Sequence, residues 1–338
     1  MKLRAFAALF VLLSVVAVSQ MQSPVRGTWT VNEAHDQTVQ IQVTFRSAHG
    51  QHSDSMTVDR AEVKPGQTAG TVQFAVARAA GTFNFTGTLA DDNGSGQVEF
   101  TPNPQFTKDM AELGYANLSS DDVFRMALLD VTPQFTRDLA QVGYANLPVE
   151  DLIRMRIHDT DANFVRGMAS AGIKGQGPEE LIRLRIHDVS PEFVQQMQAA
   201  GYPGLQPDDL IRMKIHDVSP EFVQKLKQLG YEKLNADDLI RFKIHDVDPE
   251  FIAAVRKLGF DNIDADELVR MKIHDVTPEF ISKVKEFGFN DVNADELIRL
   301  RIHDVSPEYI AQARSFDKTI TLEEIINRKI HGDRITHM

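Results

Sequence analysis

Histidine returns at 29-residue intervals in this chain, at His158, His187, His216, His245, His274 and His303, and once more, one residue early, at His331. Aspartate follows every one except His331, which is followed by Gly332. Imidazole and carboxylate side by side are metal ligands and proton carriers, so the chemistry on offer is a ladder of metals or protons. Arginine makes a second ladder, at Arg125, Arg154, Arg183, Arg212, Arg241, Arg270 and Arg299. Three and four residues before each stands an acidic pair, such as Asp208-Asp209 or Asp237-Asp238. That spacing suits ion pairs within one helix and acids at its positive N-terminal end. The other use of such a ladder, exposed along one face, is to read a partner.

Geometry speaks against the metal ladder. Equivalent residues of stacked helical units lie about 8–10 Å apart or twice that, whereas ligands sit within about 2–2.5 Å of one ion. The histidines are therefore expected in the last turn of a helix, where free carbonyls and the dipole favour them. The His-Asp dipeptide resembles half of the signature of metal-dependent phosphohydrolases, which need further histidines and aspartates converging on two metals. Here the pair is copied along an array and diverges to His331-Gly332. Glycine in place of aspartate implies a turn that uses left-handed backbone. His49 and His52 are three apart in a loop region, with no third ligand fixed beside them. There is no phosphate-binding glycine loop, zinc-protease helix motif or nucleophile elbow. With no cysteine there is no thiolate chemistry and no disulfide. The chain reads as non-enzymatic, with no catalytic residue, metal or cofactor assigned.

What positions these ladders is one unit of 29 residues written eight times over residues 104–331. Phe106, Phe135, Phe164, Phe193, Phe222, Phe251, Phe280 and Tyr309 keep its spacing. Tandem units of this size stack into an array whose product is usually a surface. Each unit predicts two short helices. The first opens with a cap and a proline, as in Ser190-Pro191, and stops at glycine, as at Gly201. Val189 and Val194 suit a hydrophobic staple across that start. The second opens with a capping box, as from Asn235 to Asp238, Asn293 to Glu296 and Thr321 to Glu324. Leu239, Ile240, Phe242 and Ile244 cover more than one stripe, so this helix is expected to be sandwiched between neighbouring hairpins. The end units are atypical, as caps should be: Leu128-Leu129-Asp130 opens the series and Gly332 closes it.

Before the repeats, residues 24–103 alternate with period two. Val39, Ile41, Val43 and Phe45 make one run, Val72, Phe74 and Val76 another, and Phe83 and Phe85 a third. About six strands with turn signals between them predict an antiparallel meander, curled into a small barrel or laid as a sheet against the first helices. Trp29 is expected to plug its core. Residues 1–20 have Lys2 and Arg4 ahead of an apolar run from Phe6 to Val18, then small residues at Ala17 and Ser19. That pattern is a secretory signal peptide, and periplasmic or secreted localisation is expected. The net charge of −12 splits into −3 over residues 24–103 and −11 over the repeats and the tail at 333–338, against +2 before them. An acidic surface repels phosphate backbones, so nucleic acid is an unfavourable partner and a basic protein, peptide or cationic ligand a compatible one.

The unit Asp208–Phe222 resembles repeats in uncharacterised exported proteins of soil bacteria, and is similar to the tails of membrane metallopeptidases of the beta-lactam-sensor type. Those tails usually carry His-Gly where this chain mostly has His-Asp. The transmembrane helices and zinc motif of the peptidases have no counterpart here, so the resemblance implies sensing or protein interaction outside the cytoplasm and carries no protease activity. The expected fold is α+β in two parts: a small antiparallel β domain at 24–103, then an all-α solenoid of eight helical hairpins at 104–332. The expected function is a protein- or peptide-binding scaffold without stable membrane insertion, reading its partner through Arg154, Arg183, Arg212, Arg241 and Arg270 with His187, His216 and His245 beside them. The alternative is a small-ligand or glycan sensor in the β domain, which an apolar cavity near Trp29 and Phe83 would favour. A hydrolase at 100–114 would need a convergent acid, base and nucleophile.

Overall fold

The structure is a computed structural model that describes residues 25–34, 37–47, 50–63, 70–90 and 93–332. The signal segment at 1–20, the tail at 333–338, and His49 with its possible metal lie outside the described residues. Six antiparallel strands come first: β1 (Val25–Ala34), β2 (Thr38–Ser47), β3 (Gly50–Asp59), β4 (Thr71–Arg78), β5 (Gly81–Ala90) and β6 (Asn93–Pro102). Their order is β3-β2-β1-β6-β5-β4, so the first and last strands pair and the meander is open only between β3 and β4. Arg78 at the end of β4 donates to the Thr57 carbonyl of β3 at 3.3 Å across that seam, so the sheet curls towards a barrel. The alternation works as expected. Val39, Ile41, Val43, Phe45, Val72, Phe74, Val76, Phe83, Phe85, Val98 and Phe100 all face a buried interior.

Among the described residues sixteen helices follow, as eight hairpins. They are α1 (Pro104–Glu112) with α2 (Ser120–Leu128), α3 (Pro133–Gln141) with α4 (Val149–Ile157), α5 (Ala162–Ser170) with α6 (Pro178–Ile186), and α7 (Pro191–Ala199) with α8 (Pro207–Ile215). Then come α9 (Pro220–Gln228) with α10 (Ala236–Ile244), α11 (Pro249–Lys257) with α12 (Ala265–Ile273), α13 (Pro278–Glu286) with α14 (Ala294–Ile302), and α15 (Pro307–Phe316) with α16 (Leu322–His331). The architecture is the α+β arrangement of a β domain and repeated helical hairpins.

Local chemistry sets most helix boundaries. The Ser190 hydroxyl accepts from the Phe193 N–H at 3.2 Å, and Thr132, Ser219, Asp248 and Thr277 repeat the bond in their own hairpins. Where the third unit lacks the usual cap and proline, Asp161 takes over and accepts from Phe164 at 2.8 Å. The odd-numbered helices from α1 to α13 stop at a left-handed glycine, as at Gly201 with φ 94°, whereas α15 ends at Asp317 in extended backbone. The even-numbered helices stop in the same geometry at aspartate. Asp217 has φ 53°, and the next amide, Val218, reaches back to the Met213 carbonyl at 2.8 Å. Gly332 with φ 69° occupies the same place, which explains why glycine and aspartate exchange there.

Helices of one kind pack on their own kind along the array: α7, α9, α11, α13 and α15 in one row, α8, α10, α12, α14 and α16 in another. Leu239, Ile240 and Phe242 of α10 are buried, as a sandwiched helix requires. Ile244 is not: it is 50% exposed, correcting the expectation that it joins them. It stands seven residues after Asp237 and three after Arg241, on the helix face those two turn to solvent.

The chain divides into two compact units, one reaching Ala169 and including Gly175–Arg185, the other comprising Ser170–Lys174 and Ile186 onward. Strands end and helices begin at residue 103, yet the sheet and the first hairpins share one unit because α2 enters the sheet's core. Phe124 lies 4.1 Å from the Phe45 ring, 5.2 Å from Phe100 and 5.5 Å from Phe83. Phe124→Ala should cost about 3–5 kcal/mol by leaving a cavity in a ring cluster. Urea unfolding of the two proteins checks this; a loss below about 1 kcal/mol would mean that α2 does not hold the sheet.

Candidate partner-binding surface

The arginine ladder sits at mid-helix on the even-numbered helices, and its partners are not mainly those expected. Arg154 reaches Glu179 at 2.6 Å, Arg212 reaches Asp237 at 2.7 Å, Arg241 reaches Asp266 at 2.9 Å and Arg270 reaches Asp295 at 2.8 Å. Each pair joins one hairpin to the next. Arg125 with Glu150 and Arg299 with Glu323 extend the series. Bonds within one helix also form, from Arg183 to Glu180 at 2.8 Å and, longer, from Arg241 to Asp238 at 3.9 Å. Helix spacing explains the difference. An arginine on the solvent face of a short helix reaches the N-terminus of the next parallel helix as easily as its own. Arg154, Arg183, Arg212, Arg241 and Arg270 keep 36–49% of their side-chain surface exposed, so they are braced rather than buried.

The histidines stand at helix C-termini. His216 and His245 are the cap residues of α8 and α10, with backbone N–H groups bonded into the last turn, and His187 directly follows α6. All three are half-exposed. His331 shows the side-chain version: its Nδ1–H donates to the Asn327 carbonyl at 2.8 Å. Among the described residues no group of three metal-binding side chains converges.

Two further ladders were not read from the sequence. From α4 to α14 the last cation of each even-numbered helix stacks on the phenylalanine of its own hairpin, as in Lys214 over Phe193 at 5.2 Å, Lys243 over Phe222 at 5.0 Å, Lys272 over Phe251 at 5.0 Å and Arg301 over Phe280 at 5.1 Å. Between hairpins, Lys227 covers Tyr202 and Arg256 covers Tyr231, both at 5.3 Å, while each tyrosine donates to a carbonyl of the next unit, Tyr202 to Leu234 at 2.7 Å and Tyr231 to Ile263 at 2.8 Å. Burial pushes the Tyr202 and Tyr231 phenols up, which keeps them as neutral donors. The signal for both ladders was present in the fixed register of Phe, Tyr and Lys, but distance across units cannot be read from spacing.

The most consequential surface residue is the one expected inside. Ile157, Ile186, Ile215, Ile244, Ile273, Ile302 and Ile330, one per hairpin, are each 48–54% exposed. In the second compact unit the even-numbered helices therefore present three rows side by side: acids such as Asp208, arginines such as Arg212, and isoleucines such as Ile215, spaced four and seven residues along one helix face. The first hairpin breaks the pattern. Leu128 holds the isoleucine position there and is 4% exposed, on the helix that packs against β3, β5 and β6.

The sheet interior near Trp29 and Phe83 is filled by rings. Trp29 is 2% exposed, stands edge-on to Phe74 and Phe85 at about 6 Å, and donates Nε1–H to the Thr86 carbonyl at 3.1 Å. Gly96 makes room for it, since a Cβ there would lie 2.7 Å from Trp29 Nε1. An open recess of about 390 Å³ lies instead on β4 and β5, lined by Gln73, Phe74, Asn84, Phe85, Thr86 and nearby Glu62. Residues 100–114 place Phe100, Phe106 and Met110 in the core. Among the described residues no helix is long and apolar enough to cross a membrane.

The guanidinium of Arg125 holds Glu150 below the ordinary carboxylate value of 4.5, and Arg154 and Arg299 do the same for Glu179 and Glu323. A lowered folded-state pKa adds stability that is complete above 4.5 and is lost as pH falls through the folded value. Replacing Arg125, Arg154 and Arg299 together by glutamine should lower the thermal midpoint near neutral pH, and the gap from the unaltered chain should close between about pH 5 and pH 3. For a single exposed pair, Arg241→Ala should cost less than about 1 kcal/mol in urea unfolding. No family model matches the chain and no curated protein matches it, so the reading of this surface rests on its geometry.

Proposed function

We propose that the chain is an exported, non-catalytic scaffold that binds a protein or peptide along the solvent face of its even-numbered helices. The observation that carries this reading is the isoleucine row. Single apolar residues on a surface are ordinary, but contiguous apolar area marks a contact site. Here the same large aliphatic side chain stands half-exposed at the same place in every hairpin from the second to the eighth. Neither packing nor capping within the hairpin asks for it. In this reading the isoleucines make the contact, His187, His216 and His245 flank it, and Arg154, Arg183, Arg212, Arg241 and Arg270 form the polar row beside it, held in place by acids.

A second reading keeps a specific observation of its own: the recess on β4 and β5, lined by Gln73, Asn84 and Thr86, offers amides and a hydroxyl to a small polar ligand or glycan. It would make the hairpins a spacer.

The discriminating experiment is affinity capture from an envelope extract with the full mature chain and with a variant carrying Ile215→Ser, Ile244→Ser and Ile273→Ser. These side chains are half in water, so the variant should fold with a nearly unchanged circular dichroism spectrum. A protein retained by the unaltered chain and released by the variant is the expected result. Identical sets of retained proteins from both baits would remove the isoleucine face from the function.

A further inference from the structure

We infer that the isoleucine face of the second compact unit takes an extended, left-handed polyproline-type segment of a partner, with an apolar residue at every third position and a lysine or arginine between. This rests on the scaffold reading above and names the chemistry of what the scaffold would hold.

Three observations lead there. The first is the period. Ile215, Ile244, Ile273, Ile302 and Ile330 occupy one position on successive like helices, and such helices stand about 8–10 Å apart. A polyproline helix has three residues per turn and a rise of about 3.1 Å, so one face returns about every 9.3 Å. A β-strand returns a side chain to one face every second residue, about 6.6 Å, and does not keep step. The backbone agrees with this choice: the helix face offers side chains and no unpaired ladder of amides, so an incoming strand would gain no backbone partners, whereas a polyproline helix keeps its own backbone in water.

The second observation is charge. Around Ile215 one hairpin sets the carboxylates of Asp208, Asp209 and Asp217 against the cations Arg212 and Lys214, an excess of acid repeated around Ile244, Ile273 and Ile302. The left-handed aspartates are the uncommitted part of it. Where the next hairpin supplies arginine, the aspartate is paired, as Asp275 is with Arg301. Where it supplies lysine, the lysine stacks on a ring, and Asp188, Asp217, Asp246 and Asp304 have no ion-pair partner among the described residues. Glycine would fit those backbone angles with less strain, as Gly332 does.

The third observation is shape. Beside two of these aspartates, Asp217 and Asp246, the surface is recessed. One recess of about 280 Å³ is lined by Phe193, Lys214, Asp217 and Ser219 among others, and the equivalent one of about 330 Å³ by Phe222, Lys243, Asp246 and Asp248. The hairpins that carry Ile215 and Ile244 thus each provide one apolar contact and one recess holding an unpaired carboxylate. A polyproline triplet provides one apolar side chain, one cation, and one residue left to solvent.

The test uses the full mature chain and fluorescein-labelled peptides, read by fluorescence anisotropy. The probe is six repeats of Leu-Pro-Lys; the controls are six repeats of Leu-Pro-Glu, and Leu-Pro-Lys-Gly repeats that stretch the period to four. The probe should bind about tenfold or more tightly than either control, and more weakly as salt rises. Ile215→Ser with Ile244→Ser and Ile273→Ser should weaken it about tenfold. Asp217→Gly with Asp246→Gly, which suits the left-handed turn and should leave the thermal midpoint no lower, should weaken it several-fold. Equal binding of the glutamate peptide, equal binding of the period-four peptide, or full binding by the isoleucine variant would each overturn the inference. If the probe fails while an extract protein still depends on the isoleucines, the polyproline assignment falls and the scaffold stands. If neither depends on them, both fall.

Discussion

No hairpin in this protein can bury its own apolar surface. The even-numbered helices carry large aliphatic or aromatic side chains on more than one side, and a two-helix unit has only one partner helix to offer. Met213, Phe242, Met271 and Leu300 are completely buried because the next hairpin covers them. Everything else follows from that dependence. The unit must be repeated, its repeat length must be kept without a slip, and both ends of the array must be finished by something that is not another ordinary unit.

The two ends solve that problem differently. At the start the β domain serves as the last neighbour. Positions that later hairpins give to lysine and half-exposed isoleucine become Ala127 and Leu128, both buried, and Phe124 enters the ring cluster of the sheet. At the other end the contact side is made polar. Arg328 takes the place of the buried methionine, and Asn327 takes that of the ladder arginine. Lys329 is kept, because its aromatic partner Tyr309 lies within its own hairpin.

The polar ladders set the register of the stack more than its stability. An exposed ion pair contributes about 0–1 kcal/mol and an exposed cation–π contact about 0.5–1 kcal/mol. Burying a methionine or phenylalanine between helices is worth about 1.5–3 kcal/mol. What the ladders add is direction. Arg212 to Asp237, Lys227 over Tyr202, and the Tyr202 hydroxyl to Leu234 all join neighbouring hairpins, and all three are satisfied only at one offset between them. They also occupy the charged side chains, which leaves the isoleucine row and the unpaired aspartates as the part of the face not already committed to the fold.

Much of this was legible in the residues alone. Proline after serine or threonine, glycine after the odd-numbered helices, capping boxes, the alternating strands and the eightfold unit are local signals, because a cap or a turn is decided within four or five residues. The exchange of Asp for Gly332 even disclosed a left-handed turn. The candidate site was legible only as a set of ladders. Which acid each arginine meets, which ring each lysine covers, and whether Ile244 lies inside or outside depend on how far one hairpin stands from the next and how it is turned. The helix face that holds Asp237, Arg241 and Ile244 could be drawn from their spacing, but nothing in the spacing says which face the neighbouring hairpin leaves uncovered. That choice belongs to packing, since it is made by contacts between residues more than twenty positions apart.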